Sequence, residues 1–177
     1  MLHRLRSNPV YWFLAKTAAL LIVWFLLYEF IINPTEVLDH LLITNVIFFS
    51  GLLLRIFGFT PIEQTFEGMR TIGIDGTNGL WIGDSCDGIS LFAVFAIIII
   101  CFPGPWKKKM WFIPIGILLI HIFNIIRVTA LCMIIYYSPQ SLAFNHTYTF
   151  QILAYALIFF LWIRWINKYS GSYTEKI

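Results

Sequence analysis

The apolar residues of this chain do not alternate with polar ones; they run. Five long stretches stand out, at 10–32, 37–57, 89–102, 110–137 and 149–166. Runs of about 18 or more residues with few charges are membrane-helix candidates. The breaks between them are marked by proline or glycine: Asn33-Pro34, Pro103-Gly104-Pro105 and Pro139. Between the second and third stretches lies the one sizeable polar region, 58–88, rich in Gly, Thr, Asp and Glu. Within it, Thr71-Ile72-Gly73-Ile74 and Leu80-Trp81-Ile82 flank Asp75-Gly76-Thr77-Asn78-Gly79, a pattern that predicts a short hairpin or paired extended segments. The fold class expected is an all-α polytopic membrane protein of four to five hydrophobic helices, forming a single membrane domain over 1–177, with a small extracytoplasmic polar region.

Composition agrees. Of 177 residues, 59% are hydrophobic and 12% charged, about half the charge of an ordinary soluble domain. No basic block is large enough to suggest nucleic acid, and no internal repeat is visible. The N-terminus, with Arg4, Arg6 and Lys16 before a long apolar run and no small-residue cleavage site, reads as a retained first helix.

The basic residues orient the chain, because cytoplasmic loops carry the Lys/Arg excess. Lys107-Lys108-Lys109 places the turn between the third and fourth stretches in the cytoplasm, and the two termini point the same way. Region 58–88 and the segment before the fifth stretch are then extracytoplasmic. This count works if 10–32, 89–102, 110–137 and 149–166 span and 37–57 is an interfacial or re-entrant helix on the outer face. The second stretch carries Asp39, His40, Asn45 and Arg55, which suits that role; a spanning 37–57 with an external N-terminus is the other solution. The expected location is the cell (inner) membrane.

Three cysteines, Cys86, Cys101 and Cys132, match no metal spacing, and an odd number excludes a fully paired framework within one chain. Cys101 and Cys132 lie in apolar runs, where a thiol packs as a small hydrophobe. Cys86 lies in Asp84-Ser85-Cys86-Asp87-Gly88, before the third helix, where a helix N-terminus stabilises a thiolate. Gly88 permits close backbone approach, whereas Asp84 and Asp87 oppose thiolate formation. Arg127 lies inside the fourth helix with Asn124 on its face; a buried membrane arginine faces a partner or a wet cavity. His146 precedes the fifth helix. The topology, drawn from other residues, brings Cys86, Arg127 and His146 to one face. A thiol, an imidazole and a guanidinium suffice for acyl transfer: nucleophile, proton acceptor and donor, and oxyanion stabiliser. His121 and His40 are weaker candidates, and His121 reads as an interhelical hydrogen-bond partner.

Cys-x-Gly at a helix mouth, Asn-x-x-Arg in a following helix and a His before the last helix resemble the exosortase/archaeosortase family over about 58–165. The resemblance implies a membrane cysteine transpeptidase or peptidase, with Cys86 as nucleophile, Arg127 as oxyanion or substrate stabiliser and His146 as general acid/base. It implies as partner an exported protein whose C-terminal sorting signal comprises a motif, a membrane helix and a basic tail. No cofactor or metal is expected. Asp87 stands where many members carry Ser or Asn, and the chain is short. Two other classes remain beside it: a non-enzymatic membrane subunit of an export or surface-polymer assembly system, and a small transporter. Ionisable groups gathered toward one face, without a repeat, count against transport.

Overall fold

A computed structural model describes residues 9–64, 70–83 and 86–170. Five helices carry the fold. α1 (Pro9–Leu27) opens with proline at its first turn, where the missing N–H costs nothing. It continues through a π-helical turn (Tyr28–Ile32) and a 3-10 turn (Asn33–Thr35) that contains Pro34. Glu36, with φ of 51°, breaks the helix and redirects the chain into α2 (Val37–Ile56). A three-stranded antiparallel sheet follows, β1 (Pro61–Gln64), β2 (Thr71–Ile74) and β3 (Leu80–Trp81), in the order β1-β2-β3. α3 (Ile89–Cys101), α4 (Trp106–Tyr137) and α5 (Phe150–Trp165) complete the bundle.

Among the described residues, four helical stretches are long and apolar enough to cross a membrane: Val10–Thr35, Val37–Ile56, Trp106–Tyr137 and Pro139–Ser170. The chain is thus an all-α polytopic membrane protein carrying a small sheet. Leu14, Ile22, Phe25 and Phe30 of α1, Leu118, Ile122 and Ile126 of α4, and Ile152 and Phe159 of α5 are exposed. Such bands have no aqueous use and suit hydrocarbon. With 13 residues, α3 is only about 20 Å long, shorter than a lone crossing requires.

Two apolar cores divide the molecule. Toward Lys107–Lys109, Phe95 and Ile99 of α3, Ile120 of α4 and Ile158, Leu161 and Trp165 of α5 pack together. Gly116 lets α4 close onto α3: a Cβ there would clash with the Phe95 ring. We call this the lysine end. Phe13 of α1 lies against Phe102 and Trp162, so α1 begins there too. At the other pole, the sheet end, Ile43, Val46, Ile47 and Leu54 of α2 join Ile72 and Ile74 of β2, Ile82, Cys86, and Ile125, Val128 and Cys132 of α4. The strand pattern accounts for this core. Ile72 and Ile74, two residues apart on one face of the strand, enter this core, while Thr71 is half-buried and Gly73 is covered on the other face by Gly79 and Thr77.

The pairing of 71–74 with 80–82 follows the sequence pattern, β2 facing β3 through Thr71–Trp81 and Ile72–Leu80. β1 is an addition to it: Pro61–Gln64 pairs with β2 from Pro61–Ile74 to Gln64–Thr71. Contacts at both ends of α2 lead to the sheet region. At its start, Glu36 lies 3.6 Å from Arg70, just before β2. Beyond its finish, Phe59 packs edge-on against Tyr136 and Tyr137. Between these points Asn45 Oδ1 is hydrogen-bonded to His121 Nε2 at 2.8 Å, and Ser50 donates to the Ile125 carbonyl at 3.2 Å.

Candidate active site

Cys86 follows β3 by a single turn: its N–H donates to the Gly83 carbonyl at 2.8 Å. The next residues convert this turn into a helix. Asp87 Oδ1 accepts the Ile89 N–H at 2.7 Å, satisfying one of the donors that a helix start leaves without a partner. Gly88 takes φ of 89°, a conformation costly to any residue with a Cβ. A Cβ there would also meet the Phe92 ring at 3.2 Å and Asn124 Nδ2 at 3.5 Å. Gly88 thus admits the protein's own α3 and α4 close to the turn. Asp84 lies outside the described residues.

α4 supplies the next two groups. Asn124, 1% exposed, donates from Nδ2 to the Cys86 carbonyl at 2.6 Å and pins the loop to the helix; its Oδ1 is unbonded among the described residues. One turn on, Arg127 is 5% exposed, and its Nε has no hydrogen-bond partner among the described residues. A buried guanidinium with an open N–H is costly unless something else supplies the acceptor.

His146 arrives from α5. The segment before this helix, read from sequence as a loop, is helical. Pro139 opens a 3-10 turn, a short helical turn follows (Leu142–Phe144), and a π-helical turn (Asn145–Thr149) leads into α5. Asn145 Nδ2 holds this entry by donating to the Ser141 carbonyl at 2.9 Å. π-turns interrupt helices most often at functional sites, and this one presents His146 Nε2 3.5 Å from Cys86 Sγ. Arg127 acts electrostatically on the same imidazole. Cys86, Asn124, Arg127 and His146 are thus gathered from three separate parts of the chain.

The thiol is buried, at 4% exposure, beside Ile82 and Ile125 in the sheet-end core. The sequence had suggested a more open, polar mouth. Thirteen residues of α4, 125–137, lie beyond Asn124, about 20 Å of helix. The site is therefore recessed below that helix end. His121, one turn before Asn124, bridges to Asn45 and packs edge-on against Phe92, the interhelical role its position suggested. Among the described residues no group of three or more His, Cys, Asp or Glu side chains is placed to hold a metal ion.

A multi-helix membrane protein with a thiol and imidazole paired, and a buried arginine bearing on that imidazole, is the class that fold and site define. A family model for transmembrane exosortases matches residues 9–165, and the chain belongs to that family. No curated protein and no solved structure matches it.

Proposed function

We propose that this protein is a membrane-embedded cysteine transpeptidase or peptidase that cleaves the C-terminal sorting signal of exported proteins at the extracytoplasmic face. The observation that carries the reading is the 3.5 Å approach of His146 Nε2 to Cys86 Sγ, between groups 60 residues apart in sequence and beside a buried arginine. Family membership supports the same chemistry.

In this mechanism His146 takes the Cys86 proton, and the thiolate attacks the scissile carbonyl. Arg127, with its open Nε, donates to the oxyanion that develops. As the tetrahedral adduct collapses, the C–N bond breaks and the imidazolium protonates the leaving amine. The basic tail and its membrane helix depart, leaving a thioester on Cys86. An amine acceptor or water then attacks the thioester; His146 accepts the nucleophile's proton, and the Cys86 sulfur is released. Asn124 and Asp87 position the nucleophile through the backbone of its loop.

The topology belongs to the same proposal. The lysine end faces the cytoplasm, under the positive-inside bias, and α1 crosses to the sheet end. α2, whose flanking contacts both lead to the sheet region, lies obliquely along the outer face under the sheet. The site then opens outward, below the rim, where a target's membrane helix delivers its preceding segment. Comparing the C-termini of exported proteins from cells carrying wild-type or Cys86→Ala chain tests the reading. The expected result is at least one protein that keeps its hydrophobic tail when Cys86 is lost. Unchanged processing of every exported protein, with the variant inserted at normal levels, would instead select a non-enzymatic assembly subunit.

A further inference from the structure

β3 ends just before the nucleophile's loop, and its outer edge is open among the described residues. In the β2–β3 ladder the Ile82 N–H donates to the Arg70 carbonyl at 2.7 Å, and Thr71 faces Trp81. That register makes Thr71–Trp81 a wide pair. Leu80 and Ile82 direct their main-chain groups to β2, whereas the N–H and C=O of Trp81 point to the opposite edge. Among the described residues no strand pairs with that edge. The indole stands on the face away from the core, 65% exposed. It lies over Gly83, where a Cβ would come within 2.5 Å of the ring. Gly83 in turn accepts the Cys86 N–H. An exposed aromatic platform and an unpaired main-chain donor and acceptor thus adjoin the loop that holds the thiol.

We infer that this edge is the docking strand for the target. An extended segment of the exported protein, just before its membrane helix, pairs with the main chain of Trp81 and lays a side chain on the indole. Strand addition of this kind takes affinity from main-chain hydrogen bonds and selectivity from alternate side chains. The inference rests on the peptidase reading, which supplies an extended chain at Cys86. Only four residues of chain, 82–85, lie between Trp81 and Cys86, so the paired target residue lies within about five residues of the scissile bond.

The probe is the exported protein whose processing depends on Cys86. Trp81→Cys in a Cys86→Ala, Cys101→Ala, Cys132→Ala background is combined with single cysteines walked along that protein's segment before its membrane helix, and membranes are mildly oxidised. Disulfides at alternate positions near the cleavage site are expected. Crosslinks at consecutive positions, or none with both chains inserted, overturn the inference. In vesicles reconstituted with the two proteins, Trp81→Ala should raise the target level for half-maximal processing about tenfold, leave the saturated rate within about twofold, and be largely rescued in Trp81→Phe. Wild-type processing by Trp81→Ala at every target level makes the indole an interfacial anchor and overturns the inference. If no protein's processing depends on Cys86, the peptidase reading itself falls, and this inference with it.

Discussion

Lys109 and Arg127 are both buried cations of α4, 4% and 5% exposed, yet they are treated differently. At the lysine end, Lys109 donates to the carbonyls of Ile100 and Phe102, each at 2.7 Å, and lies 4.6 Å from the Trp106 ring centroid. Its ammonium closes the C-terminus of α3, whose last carbonyls lack helical partners. At the sheet end, Arg127 keeps an Nε that is unbonded among the described residues, near the imidazole that faces the Cys86 thiol. A cation whose donors are used within the fold holds structure together. One with a donor left over, at the same burial, is free to serve the oxyanion role proposed for it.

The largest expected effect that separates the two ends is at His146. In the proposed mechanism His146→Ala removes the proton acceptor for Cys86, and it should slow processing by about 10² to 10⁴-fold, measured by pulse-chase of the target's precursor. The fold should survive, because the residue is only half-buried and the contact its ring makes is with the thiol. A variant that processes at the wild-type rate would remove the imidazole from the chemistry. Next comes Arg127→Lys, which keeps the charge and loses the planar fork. A drop of about 10² to 10³-fold is expected, seen in the saturated rate more than in the target level needed. A loss confined to target affinity would reassign Arg127 to binding.

At the lysine end the expected sign is reversed. Lys109→Met removes the contacts to Ile100 and Phe102 and should lower stability by about 1–3 kcal/mol, read as the unfolding midpoint in detergent. The processing rate per folded molecule should stay within about twofold. A large rate loss in folded Lys109→Met would show that the two ends are coupled, and would break the contrast drawn here.

The difference between these two cations was not legible in the sequence. Lys107, Lys108 and Lys109 read as one cytoplasmic cluster, and nothing local marks the third as the one that turns inward. Its partners are carbonyls, which every residue has. By contrast Arg127 was visible, because a lone cation deep in an apolar run is expensive wherever it points. The same asymmetry runs through the fold. The apolar runs and their proline and glycine breaks foreshadowed the helices and the β2–β3 pairing, since hydrophobic pattern is local. β1 was hidden in the masking effect of composition: Pro61–Gln64 has no alternation of its own and becomes a strand by pairing with β2. Cys86, Arg127 and His146 could be proposed together from topology. The Asn124 bond to the Cys86 carbonyl could not, for it depends on how far the loop descends along α4. His146 on a π-turn depends in turn on a helix that starts at Pro139, earlier than hydropathy suggests.

The smallest expected effect sharpens the comparison most finely, because it uses two thiols in one core. Cys86 and Cys132 are both buried in the sheet-end cluster. Cys132 has for company the Ile72 carbonyl, 3.9 Å from its Sγ; Cys86 has an imidazole at 3.5 Å. A carbonyl can accept a hydrogen bond from a thiol but cannot carry its proton away, so Cys132 has no route to the nucleophilic thiolate. Cys132→Ala should therefore cost about 1 kcal/mol, the loss of a small buried group, and leave the processing rate unchanged. Thiol alkylation of the folded protein should likewise modify Cys86 ahead of Cys132, and His146→Ala should narrow that gap. If folded Cys132→Ala stopped processing as completely as Cys86→Ala, burial in this core rather than the neighbouring imidazole would be what matters, and the assignment of the nucleophile would have to be remade.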